Sequence, residues 1–316
     1  MKIVALLPIK NEAAILRQSL TNIELWADSI IVADQASTDE SREICKEFSK
    51  VTIIENPYEG HSNRVRWLLL DEARKIPDQK LIVCIDADEV FPAGLFVKEI
   101  LSKDLRPGDA YSAPWIQLWQ SPYKYNATGV WKNSYKPCAF VDNGVMDYER
   151  VMVLNDHTSR IPSFPHQNLF QLETPLLHFQ FVDWERTQWK QAWYRCNELI
   201  ARRTGAMRIN HKYSSTLSPA GQLSDTPPEW LVRVTTLFDS IGDQSNLWHR
   251  QQILVWFKEY GIIFFESLQI WHIKELQMLF EKEVGRAPRP VVAPWWLIAL
   301  NNIKNTLRSA YYARFS

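Results

Sequence analysis

The stretch that most constrains the fold is an apolar run followed directly by acids. Leu81-Ile82-Val83-Cys84-Ile85 is followed by Asp86-Ala87-Asp88-Glu89. Such a run indicates a strand buried on both faces, as in a parallel sheet, and the acids then lie at its carboxyl end. Open α/β sheets bind ligands at that edge, where Asp-x-Asp can hold a divalent cation and, through it, phosphate. The same acids would also suit a solvated turn or the first turn of a helix. The metal-site interpretation therefore depends on the rest of the sequence.

Three earlier apolar runs, at residues 2–7, 29–33 and 51–54, alternate with segments of helical spacing. Asn11 is expected to cap the first helix, and the Ser-x-x-Glu spacing of Ser37 and Glu40 predicts a capping box for the second. This alternation predicts an α/β fold, with a parallel nucleotide-binding sheet flanked by helices. Asp34 ends the second strand and Asp86 follows the fourth, so both lie at the carboxyl ends of parallel strands. A nucleotide can therefore bind between Asp34 and Asp86.

After residue 110 the sequence no longer alternates regularly between strand-like and helix-like segments. Residues 110–178 carry short apolar and aromatic runs with Pro and Gly, which predict a mixed or antiparallel extension of the sheet with long loops, where an acceptor would bind. Residues 182–202 have helical spacing, 214–228 are rich in Ser, Gly and Pro, and 229–283 are largely helical again. We therefore predict a domain at 1–213, a linker at 214–228 and a mainly helical C-terminal region at 229–316.

Composition limits the classes of partner. Lys plus Arg and Asp plus Glu both total 36, so no overall charge attracts nucleic acid. Four scattered cysteines without a CxxC pair favour reduced thiols in a cytoplasmic protein. We find no secretory signal pattern and no apolar stretch of the ~20 residues that span a bilayer. Residues 294–316 combine aromatic and basic side chains, so they either cap the helical region or make peripheral contact with the inner face of the membrane.

Three segments carry a resemblance to a known family. They are Leu7-Pro8-Ile9-Lys10-Asn11-Glu12, Ile31 to Asp39 with the sequence IVADQASTD, and Ile85-Asp86-Ala87-Asp88-Glu89. Together and in this order they resemble the landmarks of family 2 glycosyltransferases with the GT-A fold. The Asp-Ala-Asp-Glu form looks like the branch that includes lipopolysaccharide-core glucosyltransferases. The resemblance is good over residues 1–95, fair to about 200 and absent beyond.

The resemblance implies a role for each matching position. Pro8 and Glu12 would line the nucleotide pocket, and Asp34 would contact the base. Asp86 would lie near the ribose and diphosphate, and Asp88 would bind a divalent metal, Mn²⁺ or Mg²⁺. The implied donor is a nucleotide-sugar, with a UDP-sugar favoured, and the implied acceptor is a saccharide or glycolipid.

Two departures from the family pattern affect the donor side. Family members usually have Asp-Gly where this chain has Gln35-Ala36, which alters the loop beside the base. The family often has an Arg-Asn pair before the third landmark, whereas this chain offers Arg64 or Arg66 in a shifted register. Either arginine could bind a phosphate, and a solvated basic turn is the alternative.

A later segment resembles the part of the family in which a histidine approaches the metal or diphosphate. There Pro175-Leu176-Leu177-His178-Phe179 makes His178 a candidate ligand, although a lone histidine is more often structural. Lys190 and Tyr194 match a Lys and Tyr often seen after that histidine, and they share a helix face. We include Lys190 among the candidate donor-binding residues.

The catalytic base is assigned to Asp156. In the related branch a His-Glu pair precedes the histidine on the metal side, and this chain has Asn155-Asp156-His157. Asp142, Asp147 and Glu149 are rival candidates. An aspartate that caps backbone N–H groups in a polar turn is the structural alternative.

The sequence thus predicts a metal-dependent, inverting glycosyltransferase of cell-surface polysaccharide or glycolipid synthesis, with inversion inferred from the resemblance. A sugar nucleotidyltransferase shares this kind of sheet but would need a glycine- and arginine-rich loop after the first strand. A phosphatase with an aspartyl nucleophile would carry Asp-x-Asp after its first strand, and a P-loop enzyme would need GxxxxGK[ST]. A non-catalytic carbohydrate-binding or membrane-scaffold protein, using its 14 tryptophans for contact, is the alternative from another class.

Overall fold

A computed structural model describes residues 1–58, 64–148, 160–162, 168–202, 204–217, 221–234, 248–292 and 294. The strands are β1 (Lys2–Ile9), β2 (Ser29–Asp34), β3 (Val51–Glu55), β4 (Lys80–Cys84), β5 (Glu89–Val90), β6 (Asp109–Trp119), β7 (Lys124–Asn126), β8 (Tyr135–Asp142), β9 (Asn168–Gln171), β10 (Leu176–Phe181) and β11 (Leu223–Asp225). The helices are α1 (Ala13–Ile23), α2 (Ser41–Lys46), α3 (Arg64–Ala73), α4 (Ala93–Leu101), α5 (Trp184–Ile200), α6 (Ala206–Lys212), α7 (Pro228–Leu231), α8 (Trp248–Tyr260) and α9 (Lys274–Val284).

The sheet confirms the predicted α/β fold class. Its strands run in the order β11-β7-β6-β8-β4-β1-β2-β3; β10 and β9 also pair with β6, and β5 pairs with β10. The neighbours β4, β1, β2 and β3 are parallel, and β8 pairs antiparallel with β4. Because the chain leaves β1 towards β2 and β3 and then returns to β4, the direction of strand order reverses between β1 and β4. That reversal is where open α/β sheets bind ligands.

The central strands are buried on both faces, as their apolar runs predicted. In β1, Ala5 and Leu7 pack on one face with α1 and α4, while Val4 and Leu6 pack on the other with α3. The period of two residues directs neighbouring side chains to opposite faces, so an unbroken apolar run fills both. Burial of both faces fixes the strand register and hence the height at which each strand ends.

The two predicted helix caps are wrong. Helix α1 begins at Ala13 after Glu12, and α2 begins at Ser41 after Glu40; neither glutamate side chain makes a capping hydrogen bond. Asn11 has a positive φ of 53° and its side chain accepts the Thr38 N–H. Ser37 accepts the Asn11 N–H, so the predicted capping residues connect two loops instead.

The predicted mixed extension after residue 110 is present. Strand β6 pairs antiparallel with β8 and β7 but parallel with β10 and β9. Strand β5, which directly follows the acidic motif, pairs antiparallel with β10 and sets Glu89 opposite His178. The extension therefore brings a strand from residue 176 onward beside the acids at 86–89.

The chain divides into two compact units. The first comprises Met1–Val182 and Gln222–Asp243, and the second Asp183–Gly221 and Gln244–Ser316. The second is helical where described and has its own core, which includes Trp189, Ile253, Phe257, Leu276 and Phe280. Part of the predicted linker forms β11, which pairs with β7. The boundaries predicted at 213 and 229 stay a prediction, because compactness within the folded chain does not test independent folding.

Several sequence-based expectations can be compared with this description. All four cysteines are buried and free, in agreement with reduced thiols. None of the described helices combines the length and the apolar character that crossing a membrane requires. The aromatic-basic segment proposed for membrane contact lies outside the described residues, except for Pro294.

Candidate functional site

The candidate site lies at the carboxyl ends of β2, β1 and β4, where hydrogen bonds connect the loops after β1 and β2. The Glu12 N–H donates to Ser41 Oγ at 2.9 Å, and the Ala13 N–H donates to Asp39 Oδ2 at 3.0 Å. Pro8 is half-buried near the end of β1, in register with Ala33. These contacts hold the backbone around the predicted nucleotide-binding residues Pro8 and Glu12 in one arrangement.

Asp34 is fully buried at the end of β2. Its carboxylate accepts the Ser37 N–H at 3.2 and 3.4 Å, and Arg42 Nη1 donates to Oδ2 at 2.9 Å. Arg42 also pairs with Glu55 at 2.8 Å. A carboxylate offers about four acceptor positions, so Asp34 keeps acceptor capacity beyond these contacts. Its predicted contact with the base stays a prediction.

The altered residues Gln35 and Ala36 form a turn whose backbone suits glycine. Ala36 has a φ of 50°, in the left-handed region that side chains with a Cβ disfavour. The Gln35 side chain donates to the carbonyl oxygen of Tyr58, in the segment after β3. The chain therefore forms a left-handed turn at Ala36, and the Gln35 side chain stabilises it.

Asp86 lies between two arginines. Arg66 Nη2 is 2.7 Å from Oδ1, and Arg160 Nη2 is 2.7 Å from Oδ2. Burial alone would raise the pKa of Asp86, but the charges of Arg160 and Arg66 outweigh it and hold that pKa below its usual range. Asp86 is therefore an ionised, neutralised carboxylate, which suits hydrogen bonding better than binding a cation.

Arg160 is a second buried charge of this site. It is 6% exposed, and both its terminal nitrogens contact Glu89, one of them also contacting Asp86. Burial alone would lower its pKa, but Asp86 and Glu89 outweigh burial and raise it. This guanidinium therefore stays charged and joins two acids of the motif.

Asp88 and His178 face one another. His178 Nε2 is 3.4 Å from Asp88 Oδ1, and both residues are buried, at 5% and 6% exposure. They are held together because the Phe179 N–H donates to the Asp88 carbonyl at 2.8 Å. The two predicted metal-side residues therefore lie together, although they are far apart in sequence.

Gln117 holds the side of the His178 ring that faces away from Asp88. The ring nitrogen Nδ1 is 2.6 Å from Gln117 Oε1, an acceptor, so Nδ1 carries the hydrogen. The other ring nitrogen, Nε2, faces the Asp88 carboxylate. Two acceptors at 3.4 Å attract each other only with a proton or a cation between them. A histidine whose other nitrogen is fixed in this way is typical of a metal ligand.

Of the two candidate phosphate-binding arginines, Arg66 has a described contact with the acidic motif, at Asp86. Arg64 is exposed and its guanidinium lies 4.2 Å from the centroid of the Tyr58 ring. Arg66 Nη1 is buried and, within the described part of the chain, has no hydrogen-bond partner. That nitrogen is a donor available to an anionic ligand.

Lys136, on β8, adds a further cation. Its Nζ lies 4.8 Å from the centroid of the Trp115 ring. Burial is the main cause that lowers its pKa and the Arg160 charge adds to it, while Glu89 and Asp86 act in the opposite direction. A half-buried ammonium held near the acidic motif favours an anionic ligand.

The remaining predicted residues lie elsewhere or outside the description. Asp156 and its rival Glu149 lie outside the described residues. Lys190 lies on α5, in the second unit. Asp142 is in register with Lys80, at the amino end of β4 and thus at the opposite edge of the sheet from Asp86.

Asp142 is also occupied there. Arg74 binds both its oxygens, at 2.9 and 3.2 Å, and the Tyr148 hydroxyl donates to it at 2.6 Å. The rival Asp147 is exposed and lies between Met146 and Tyr148, both of which contact this network. The described contacts therefore give Asp142 a structural role and place Asp147 beside it.

Sequence reasoning missed several site residues. Arg160, Gln117, Trp115 and Lys136 lie outside the three landmarks and reach the site only through long-range pairing. The alternation of β6 could have indicated that Trp115 and Gln117 share one face, because residues two apart in a strand do so. No local signal distinguishes Arg160.

Among the described residues, no three His, Cys, Asp or Glu side chains form a complete metal cluster. Asp88 and His178 are two ligands of the kinds that Mn²⁺ accepts. Mg²⁺ is commonly held by one or two carboxylates together with substrate phosphates and water. A two-ligand site is therefore chemically sufficient when a diphosphate completes it.

Comparison with known families identifies the N-terminal region. Residues 5–152 match the family model described as glycosyl transferase family 2, slightly less than half of the 316 residues. The match supports a glycosyltransferase domain over these residues. The match includes the three landmarks but ends before Arg160 and His178. No curated protein matches the chain.

Solved structures show weak overall similarity. One is glucosyl-3-phosphoglycerate synthase from Mycobacterium tuberculosis with Mn²⁺, UDP and glucosyl-3-phosphoglycerate, at 19% identity and a TM-score of 0.28, covering 37% of this chain and 44% of that chain. TarS from S. aureus has 11% identity and a TM-score of 0.34, covering 69% of this chain and 43% of that one. The chain thus spans less than half the length of these structures, and scores this low add nothing to the assignment.

Proposed function

We propose that this protein transfers a sugar from a nucleotide-diphosphate sugar to an acceptor hydroxyl, with inversion at the sugar and with a divalent metal. The observation that carries the proposal is the facing pair of Asp88 and His178, 3.4 Å apart at the ligand-binding edge of the sheet. The family match of residues 5–152 supports the reaction class. The Asp-Ala-Asp-Glu form extends the proposal to the branch with lipopolysaccharide-core glucosyltransferases, and hence to cell-surface polysaccharide or glycolipid synthesis.

The geometry of the pair fits a shared cation. Two ligand atoms about 2.1 Å from one metal lie about 3.0 to 3.4 Å apart when the angle at the metal is between a right angle and tetrahedral. The Nε2 to Oδ1 distance of 3.4 Å agrees with this. A divalent cation held by Asp88 and His178 would stabilise the diphosphate as a leaving group.

The basic side chains suit the diphosphate itself. Arg66 offers a buried donor, and Lys136 offers a half-buried charge on β8, the strand that pairs with β4. Arg66 and Asp86 together can bind a phosphate and a ribose hydroxyl, since one donates and the other accepts. We assign Arg66, rather than Arg64, to the diphosphate and keep Lys190 as a further proposed donor contact.

The nucleoside end is assigned to the tips of β1 and β2. Asp34 would accept the imide N–H of a pyrimidine, and Pro8 and Glu12 would line the pocket beside it. Uracil presents a donor flanked by two acceptors, and Asp34 presents an acceptor beside the Arg42 donor at 2.9 Å. This complementarity favours a UDP-sugar.

The base that takes the acceptor proton is proposed to be Asp156. The described contacts of Asp142, at the opposite edge of the sheet, support its exclusion as a rival. The acceptor is proposed to be a saccharide or glycolipid, and the protein to work in the cytoplasm, with peripheral contact at the inner face of the membrane through residues 294–316.

One experiment tests the reaction class. The protein is incubated with a panel of UDP-, GDP- and CDP-sugars, with and without Mn²⁺ or Mg²⁺, and release of the free sugar is measured. We expect slow hydrolysis of one UDP-sugar that requires the metal. A carbohydrate-binding scaffold would hydrolyse none of them, and a nucleotidyltransferase would instead form nucleotide-sugar from nucleoside triphosphate and sugar phosphate.

A further inference from the structure

Glu89 differs from the other acids of the motif in its burial and position. It is 0% exposed, while the Asp86 side chain is 37% exposed. It lies on β5, in register with His178 on β10, whose side chain is 5% exposed. The third acid of Asp-Ala-Asp-Glu is therefore inside the protein, directly behind the predicted metal ligand.

The carboxylate of Glu89 is fully occupied by protein donors. Trp115 Nε1 and Arg160 Nη2 each donate to Oε1 at 2.7 Å. The Asp86 N–H donates to Oε2 at 3.0 Å, and Arg160 Nη1 also donates to Oε2. Since a carboxylate has about four acceptor positions, Glu89 has none left for a cation.

The partners of Glu89 contact both Asp86 and His178. On one side, Arg160 continues to Asp86 Oδ2 at 2.7 Å. On the other, the Trp115 ring stacks on the His178 ring, with centroids 5.0 Å apart and planes at 22°. One buried side chain therefore fixes the carboxylate assigned to the ribose and diphosphate and also the orientation of the histidine assigned to the metal.

We propose that Glu89 is a positioning residue that does not bind the metal but holds Asp86, through Arg160, and His178, through Trp115, in the geometry that binds metal and diphosphate together. This inference rests on the proposed function. Groups behind metal ligands typically change metal affinity by about 10 to 100-fold when they are mutated. The inference therefore predicts a large effect on metal binding from a residue that cannot contact the metal.

The test is calorimetric titration of UDP in the presence of Mn²⁺, and of Mn²⁺ in the presence of UDP. Glu89→Gln keeps the size of the side chain but removes the charge and two acceptor positions. We expect the affinity for Mn²⁺ with UDP to fall by at least ~10-fold. Trp115→Phe keeps an aromatic ring but removes the indole N–H bound to Glu89. It should weaken the same affinity by about 3-fold or more, the scale of one lost hydrogen bond.

Glu99→Gln is the matched control. The Glu99 carboxylate also accepts two backbone N–H groups, of Glu173 and Thr174, each at 2.9 Å, and it pairs with Lys103. It lies in the same unit, and its described partners do not include Asp86 or His178. Glu99→Gln should therefore lower the melting temperature and leave Mn²⁺ affinity unchanged. This comparison separates positioning from a general loss of stability.

The outcomes separate the inference from the function on which it rests. Wild-type protein that binds UDP equally with and without metal contradicts the proposed function. Metal-dependent binding in the wild type that Glu89→Gln leaves intact overturns the positioning role alone. If Glu89→Gln does not fold, Trp115→Phe decides, and an unchanged Mn²⁺ affinity in that variant overturns the inference.

Discussion

His178 Nε2 lies 3.4 Å from Asp88 Oδ1, although 90 positions of sequence separate the two residues. Gln117 Oε1 holds the opposite ring nitrogen, Nδ1, at 2.6 Å, so Nε2 is the nitrogen that faces the carboxylate. A proton on Nε2 or a bound cation between the two atoms would stabilise so close a buried pair. The arrangement makes the metal assignment directly testable.

Asp88→Asn should abolish metal-dependent turnover and leave the fold intact. The amide keeps the size of the side chain but removes the charge that a hard cation needs. We expect turnover to fall by at least ~100-fold, beyond the effect typical of groups behind metal ligands. Turnover is measured against metal concentration. Asp104→Asn, whose side chain is 76% exposed, is the control, and near-normal turnover of Asp88→Asn at low metal would refute the assignment.

Asp34→Ala should weaken uridine nucleotides more than guanine nucleotides. The variant removes the acceptor proposed for the imide N–H, and one hydrogen bond to a charged group corresponds to about 10 to 100-fold in affinity. Titration of UDP and GDP measures both losses. Glu55→Ala is the control, since Glu55 shares Arg42 with Asp34 but is 71% exposed. Equal losses for the two nucleotides would assign Asp34 to another role.

Asp156→Asn should separate transfer from donor binding. A catalytic base typically contributes about 10² to 10⁴-fold to rate, and the donor is held by other residues. We therefore expect transfer to fall by at least ~10²-fold while UDP affinity stays unchanged. Parallel assays of Asp147→Asn and Glu149→Gln serve as comparisons. Persistent transfer in Asp156→Asn would indicate a turn-capping role, since asparagine caps almost as well as aspartate.

Asp142→Asn should destabilise the protein at neutral pH but much less in acid. Burial alone would raise the pKa of Asp142, but its hydrogen bonds to Arg74 and Tyr148 outweigh burial and lower it. Because the folded-state pKa lies below the unfolded value of about 3.9, the stabilisation is present above that pH and is lost as the pH falls towards the folded-state pKa.

The measurement for Asp142 is urea unfolding of wild type and variant at several pH values. Breaking a buried pair by removing one partner costs roughly 3 kcal/mol, so the difference at pH 7 should be of that order. The difference should shrink below about pH 4. A difference that stays constant down to low pH would show that the carboxylate charge does not contribute.

Ala36→Gly should raise stability slightly. A residue with a Cβ in the left-handed region costs about 1 to 2 kcal/mol, against about 0.5 to 1 kcal/mol for the added freedom of glycine when unfolded. The φ of 50° at Ala36 therefore predicts a gain of a few tenths to about 1 kcal/mol. Ala33→Gly, in the extended strand β2, is the control and should lose stability. A loss in both variants would contradict the strain argument.

The sequence predicted the central strands and the positions of Asp34, Asp86 and Asp88 because local periodicity determines them. An apolar run buried on both faces fixes where a strand ends, and hence where the following acids lie. The caps at Asn11 and Ser37 could not be predicted correctly from spacing. Both residues satisfy backbone groups of a neighbouring loop, and only the tertiary fold brings that loop close.

Arg160 could not be predicted because its role depends entirely on tertiary contact. It pairs with Asp86 across 74 positions of sequence, and a single arginine between Ser159 and Ile161 carries no periodic signal. The same holds for Gln117, which contacts His178 across 61 positions. Long-range pairing of β6 and β10 creates these contacts, and neither strand's own pattern specifies its partner.

Because the chain is synthesised from its N-terminus, the acids of the motif leave the ribosome before Arg160 and His178, their partners in the folded protein. When residue 152 has just left the ribosome, the whole family-matched region has emerged, but Arg160 and His178 have not. Glu89 and Asp86 at that stage lack the guanidinium that neutralises them in the folded protein. A nascent chain of this length also lacks His178, so the buried pair of His178 with Asp88 can form only after the chain has passed residue 178.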